Sequence, residues 1–442
     1  ENLGWAHTVN YQDKLDVFQL EMNPKNKNQY KFDGEWVELE KDKAKLKVKG
    51  IPITIGKKIY WSKYGATVKT DKGVFSLRVP ATMDIKALEE WYRMNKAKNF
   101  TEFYSALNMT SLPMFNIMYA DRYDTIFYIS NGKIPVRNSD NKYNWKSTIP
   151  RNTAATLWTT FKPIQQLPQY VNPPSGYLYN TNHSPFLATD IKYNLDKNKF
   201  DKNDGYETYH NNRSQRVTEL INNEKVDYNT FKKIKFDQQL PKELKYTYGI
   251  DSMLNLTAND YPALKEIITT LQNWDRKAVV NSKGAAIFLF VYDHVSKKLV
   301  GTPARQLTKS ESIETYQYVF DYMMKNFGKT DLVLGDVQKL VRGDDARPGW
   351  GLPDVLTAEY TEPYKDGMRK IISGDAYICF VRYPKDGSLP IIESVNTFGA
   401  SMHPDSPHYK DQMGMFLNQQ TKPMTLDKVT VLKTARTTYH PQ

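Results

Sequence analysis

Residues 172–185 read Asn-Pro-Pro-Ser-Gly-Tyr-Leu-Tyr-Asn-Thr-Asn-His-Ser-Pro. Pro173 and Pro174 halt any regular element, and Ser175-Gly176 reverses the chain. Tyr177-Leu178-Tyr179 then reads as a short strand, ending in Asn180-Thr181-Asn182 ahead of another proline. Amides at such a place are either turn formers or hydrogen-bond donors facing a site. The rest of the chain decides between them.

Outward from that stretch, the N-terminal side reads as β. Val17–Met22 alternates with period two, and Tyr30–Val37 forms two short strands around Asp33-Gly34. Lys43–Val48 is a half-exposed strand; Lys58–Trp61, Thr67–Thr70 and Val74–Val79 continue a meander. Asp84 is expected to cap a helix over Ile85–Ala97, and Thr101 to start a second one ending at Met109. Phe115–Ala120 and Thr125–Ser130 predict a hairpin about Asp121–Asp124. Residues 137–152 read as polar loop.

On the C-terminal side, 187–212 is polar and rich in Asp, Asn and Lys, a surface loop or an insertion. A central helical region follows at about 213–330, clearest at Arg216–Ile221, Leu264–Trp274, Ser282–Tyr292 and Ser312–Phe327. Strands return at Asp375–Tyr383 and Leu389–Ser394, then a helix around Tyr409–Asn418. Strands at both ends, helices between them and no linker predict one α+β domain over 1–442.

Composition narrows the function classes. The 442 residues suffice for a large core; 40% are hydrophobic and 25% charged, as in an ordinary globular protein. The net charge of +12 raises nucleic acid as a partner, but the lysines are interleaved with acids and form no basic stripe. No nucleic-acid partner is expected. No apolar run is long enough for a membrane span, and no signal peptide is seen. The sole cysteine, Cys379, lies in an apolar run and reads as a buried structural thiol.

The usual catalytic signatures are missing. The seven histidines (His7, His183, His210, His294, His403, His408 and His440) form no zinc motif, and neither a phosphate loop nor a GxSxG elbow occurs. Asp13-Lys14-Leu15-Asp16 offers two carboxylates with a carbonyl between them, which suits a hard cation or else a solvated loop.

A set of motifs goes further. Leu3-Gly4-Trp5-Ala6-His7-Thr8-Val9-Asn10 followed by Asp13 and Asp16 resembles the catalytic β chain of the penicillin acylase family of N-terminal-nucleophile hydrolases. So do Tyr60–Gly65, Tyr119–Arg122, Asn172–Tyr177 with Asn180–Pro185, Arg216–Glu219, Leu271–Asp275 with Ser282, and Ser406–Gln412, in family order. The resemblance implies an αββα four-layer sandwich, incomplete here at its N-terminal strands. It implies hydrolysis of the amide of an acylated amine, such as a β-lactam side chain or an acyl-homoserine lactone. The nucleophile would be an N-terminal serine whose own α-amine is the base.

By the same resemblance, the oxyanion donors are the backbone N–H of Val9 and the side-chain amide of Asn182, and Arg216 organises the active site. Asp13, the Leu15 carbonyl and Asp16 match a calcium loop. Asp190 is a looser further ligand, because its spacing from Asn182 departs from the pattern. No organic cofactor is implied. The serine is expected about sixty residues before the Gly-Trp-Ala-His motif, so an upstream segment and an α chain are the expected partners. This chain alone is expected to be inactive, or else to be a non-catalytic scaffold reusing the fold. The family is typically exported, which implies a periplasmic or secreted location.

Overall fold

The computed structural model describes residues 1–138, 143–149, 152–221, 226–244, 250–299 and 305–435. His440 lies outside them. The structure is α+β, and its packing divides into two compact units, Asn2–Tyr209 and His210–Gln442.

The first unit is built on period-two strands. Asp16–Gln19, Gly73–Arg78, Gly65–Thr70, Thr54–Ser62 and Glu40–Lys47 form a five-stranded antiparallel sheet, in that spatial order. Its outer strand Glu40–Lys47 carries lysines at every second position and is almost wholly exposed, which blunts that edge. Asn26–Phe32 and Glu35–Glu38 pair across Asp33-Gly34, whose φ angles are +49° and +89°. Two positive φ values in a two-residue loop match the twist of a hairpin. Phe18, Tyr30, Phe32, Tyr64, Trp145 and Trp158 fill the core beside these strands.

A second sheet of this unit carries the site. Its order is Leu3–Thr8, Asn116–Asp121, Ile126–Ser130, Gln169–Val171, all antiparallel, so Leu3–Thr8 is an outer strand. Alternation gives the sheet two different faces. Ile117, Tyr119, Phe127 and Ile129 pack against Phe103, Ala106 and Leu107 of helix Phe100–Leu107. Tyr128 and Tyr170, on the other face, pack with Ala188, Leu178 and Leu195.

Three expectations are corrected in this unit. The first helix is Ala87–Lys96; Asp84 does not cap it but accepts from the Lys86 N–H, and Ile85 is fully outside. Asn99, not a residue nearer Thr101, caps the second helix by accepting from the Glu102 N–H. Tyr177–Tyr179 belongs to no sheet; Tyr179 N–H donates to the Ala188 carbonyl.

The polar segment after it is a series of short turns. Ser184, Asp190, Asp196 and Asp201 each accept from the N–H two residues on, and each starts one 3-10 turn. Short polar side chains that bond their own backbone replace a regular element here.

The second unit packs around helix Lys283–Lys298, in which Gly284–Val291 are all buried. Gly284 is required, since a Cβ there would lie 2.2 Å from Cγ of Trp274. Helix Lys309–Phe327 opens with a reciprocal Thr308–Glu311 cap. Two sheets follow, Asp345–Pro348, Gln338–Arg342, Arg369–Gly374, Glu359–Pro363 and Tyr377–Arg382, Ile391–Asn396, Lys422–Met424. Cys379 is exposed, not buried: Ile378 and Phe380 take the inward face of its strand, and the thiol takes the other. Among the described residues, no helix is long and apolar enough to cross a membrane.

Candidate active site

Val9 lies one residue past the last pair of its strand, Thr8 opposite Asn116. The main chain after it is held from several sides. Asn10 donates from Nδ2 to the Asn131 carbonyl at 2.8 Å, and its Oδ1 accepts from Phe115 N–H at 3.1 Å. Gln12 Nε2 donates to the carbonyl and hydroxyl of Ser130, both at 2.9 Å. Tyr11 N–H donates to Glu207 Oε1 at 3.0 Å, and Asp13 N–H to the Asp204 carbonyl at 2.9 Å. Burial pulls the Lys14 ammonium down to about 8, against the opposing pull of Glu207. Burial also raises the Glu207 carboxyl.

The 172–185 stretch meets this segment. Asn172 Oδ1 accepts from Ile126 N–H, and Gly176 N–H closes the Pro173 turn at φ +75°. Both meanings of the Asn-Thr-Asn triplet then apply, one to each asparagine. Asn180 is the turn former: its Oδ1 accepts from Asn182 N–H at 2.9 Å and from the Thr8 hydroxyl at 2.6 Å. Asn182 sits at φ +61°, a conformation asparagine tolerates better than most residues. Its Nδ2 donates to the Val9 carbonyl at 2.9 Å. The structure thus brings Val9 and Asn182 together.

Neighbouring groups fix this pair. Asn116 Nδ2 donates to the Val9 carbonyl at 3.3 Å, and the buried Tyr128 hydroxyl donates to Asn116 Oδ1 at 2.8 Å. Burial pushes the Tyr128 hydroxyl well above its ordinary range, so it remains a donor. His183 is buried, stacked on Tyr179, with Thr181 N–H against Nδ1 and Nε2 against the Leu187 carbonyl. That ring is a structural brace. The Ser184 hydroxyl donates to the Glu207 carbonyl, tying the same loop to the segment that holds Tyr11.

Arg216 belongs to the second unit. Its guanidinium grips Asp237 with two bonds of 2.9 Å, and reaches Glu219 at 3.1 Å and Gln239 at 3.3 Å. This two-pronged geometry is specific to arginine. Hydrogen bonding to Asp237 raises its already high pKa.

Of the expected calcium carboxylates, Asp190 stands apart from the other two. Asp13 and Asp16 are together, but both turn to Arg137, while Asp190 accepts from the Lys192 N–H of its own turn. The side chain of Leu15, between the two aspartates, is exposed. No group of three or more His, Cys, Asp or Glu suited to a metal occurs among the described residues.

Sequence reasoning missed Thr8, Asn116 and Arg137. Thr8 and Asn116 lie beside residues it had singled out, and an inward polar pair at a strand end was the available signal. Arg137 pairs with residues more than a hundred positions away, which leaves no local pattern.

The sequence pattern of the family described as penicillin amidase matches residues 1–433. An acyl-homoserine lactone acylase PvdQ from Pseudomonas syringae pv. tomato is 22% identical, over 94% of this chain and 60% of that protein. Penicillin G acylase from Escherichia coli is 25% identical over 43% of this chain and 23% of its own length. The structure of a thermostable penicillin G acylase from Alcaligenes faecalis superposes with a TM-score of 0.66 at 17% identity, covering 100% of this chain and 88% of that one. The fold is therefore that of an N-terminal-nucleophile hydrolase. The chain spans 60% of the length of the curated acyl-homoserine lactone acylases it matches over nearly its whole length. It belongs to the penicillin amidase family.

Proposed function

We propose that this chain is most of the catalytic subunit of an acylase that hydrolyses the amide bond of an acylated amine, of the β-lactam side-chain or acyl-homoserine-lactone kind. The observation that carries the reading is the bond from Asn182 Nδ2 to the Val9 carbonyl, which sets a side-chain amide beside the Val9 peptide at a strand end. An amide nitrogen has two hydrogens, so the same group can hold that carbonyl and serve a substrate oxygen.

The Val9 N–H and the Asn182 amide are the two oxyanion donors. A serine Oγ supplied by upstream sequence adds to the substrate carbonyl carbon and gives its proton to its own α-amine. Negative charge then builds on the carbonyl oxygen, where fixed donors stabilise it more than they stabilise the neutral ground state. The C–N bond breaks as the leaving amine takes the proton. Water hydrolyses the acyl ester by the reverse sequence. Arg216, the organising residue that the resemblance implies, holds Asp237 and Glu219 within its own unit.

The outer strand Leu3–Thr8 is where a strand from upstream sequence would add. An α chain is the other proposed partner, and export to the periplasm the proposed location.

The test uses the full protein carrying this chain, incubated with phenylacetyl amides and with acyl-homoserine lactones of graded acyl length. The expected result is release of the free amine in one class, with a transient acyl adduct on an N-terminal serine seen by intact mass. Saturable binding with no amine released from either class would reject the enzyme in favour of a binding scaffold.

A further inference from the structure

Arg137 stands where the family resemblance led us to expect a metal ion. Its Nε donates to Asp16 Oδ2 at 2.9 Å. Its Nη2 donates to Asp13 Oδ1 at 3.2 Å and to the Asp13 carbonyl at 3.0 Å, and its Nη1 donates to the Asn203 carbonyl at 2.7 Å. The side chains of Arg137 and Asp16 are 3% and 0% exposed. Trp158 Nε1 also donates to Asp16 Oδ2, at 2.6 Å, and the guanidinium lies 5.6 Å from the centre of the Trp145 ring.

Calcium requires six to eight oxygens converging on one point. Here two aspartate side chains and two carbonyl oxygens do converge, but on a guanidinium. The third carboxylate of the expected set, Asp190, serves its own turn. One atom speaks for an additional partner: Asp16 Oδ1 is buried and has no hydrogen-bond partner among the described residues. A single carboxylate oxygen is far short of a calcium shell, and a divalent ion reaching it would face the Arg137 charge at close range.

We propose that Arg137 replaces the calcium ion, as a permanent cation built into the chain. A guanidinium keeps its charge at any working pH, so a fixed positive charge faces both aspartates without a metal. The clamp joins the Asp13–Asp16 segment to the Asn203–Gly205 loop. Gly205, at φ +68°, permits the close approach, because a Cβ there would lie 2.5 Å from Cβ of Asp13. Beside it, Lys162 pairs with Asp204 at 2.7 Å and supplies a second internal cation to the same loop.

The test begins with the full protein as purified. Its calcium content by elemental mass spectrometry is expected to be well below one per chain. Its melting temperature is expected to be the same in chelator and in millimolar calcium chloride. One tightly held calcium per chain, with a lower melting temperature in chelator, would overturn the proposal. Arg137→Ala is the second arm. It should melt about 5–10 °C lower, as expected on breaking a buried ion pair, and should gain a rise in melting temperature on adding calcium that the unaltered protein lacks. A folded variant indifferent to calcium would contradict the claim that ion and guanidinium exchange for one place. If the variant does not fold, the metal content and chelator melt of the unaltered protein decide alone.

Discussion

The side-chain amide of Asn182 donates to the main-chain carbonyl of Val9 at 2.9 Å, across 173 positions of sequence. The bond ties the end of an outer strand to the turn that follows Tyr179. Its precision depends on Asn180, which accepts from both sides of the junction, from the Thr8 hydroxyl and from the Asn182 N–H.

Asn180→Ala removes that shared acceptor and leaves two part-buried donors without it. The expected loss is about 1–3 kcal/mol of stability. Turnover should fall about 10- to 100-fold, because Asn182 is no longer held in its left-handed conformation. Asn180→Asp keeps the acceptor and should lose less on both counts. Thermal melts and kcat on one amide substrate check the pair; equal activity for Asn180→Ala and the unaltered protein would remove Asn180 from the site.

Arg216→Lys replaces a two-pronged grip on Asp237 with a single contact. We expect a loss of about 1–3 kcal/mol, since the pair is largely buried and charge-assisted. Arg216→Ala should cost more, and adding Asp237→Asn to it should recover part of the loss. That non-additivity is the signature of a direct pair, and a double-mutant cycle in melting experiments measures it.

Glu359 supplies a pH dependence. It is 1% exposed, and among the described residues neither carboxyl oxygen has a hydrogen-bond partner. Burial, then the nearby Asp375, push it up to about 10, and Lys235 only partly opposes this. Lys235 is paired to Asp375, whose carboxyl is itself raised by burial, and Arg213 faces that carboxyl. The folded chain therefore holds a proton on Glu359 that the unfolded chain releases near its ordinary value. Stability is full below about 4.5 and falls as pH rises from there toward about 10. Glu359→Gln, neutral at every pH, should raise the melting temperature by a few degrees at pH ~8, with the gain vanishing toward pH ~4.5. A gain that is constant with pH would show that Glu359 is not the titrating group.

Much of the fold was legible in the sequence, for identifiable reasons. The hairpin read at Phe115–Ala120 and Thr125–Ser130 is found at Asn116–Asp121 and Ile126–Ser130, because apolar alternation and an acidic turn agree there. Helix Lys283–Lys298 is legible as far as Tyr292, where the apolar run ends; its last residues, Asp293–Lys298, are polar apart from Val295, the only buried one of them, so no apolar pattern marks them. Tyr177–Tyr179 has a strand's composition, but a strand requires a neighbour, and among the described residues no strand pairs with it. Cys379 was misassigned because its run is apolar on both parities, so the sequence does not say which face is inward.

The site was less legible. Val9 and Asn182 were nominated by family likeness, not by local pattern, since a backbone N–H has no sequence signature. The Asp13–Asp16 pair reads from sequence as a calcium loop, whereas the structure sets the Arg137 guanidinium against both carboxylates. The answering group, Arg137, is 121 residues from Asp16.

The most direct measurement is kcat for Asn182→Ala against the unaltered full protein, on one chromogenic acyl amide. Loss of a fixed oxyanion donor should lower kcat by ~100-fold or more, with KM and melting temperature changed little. Near-normal kcat would contradict the assignment of Asn182 and, with it, the proposed site at Val9.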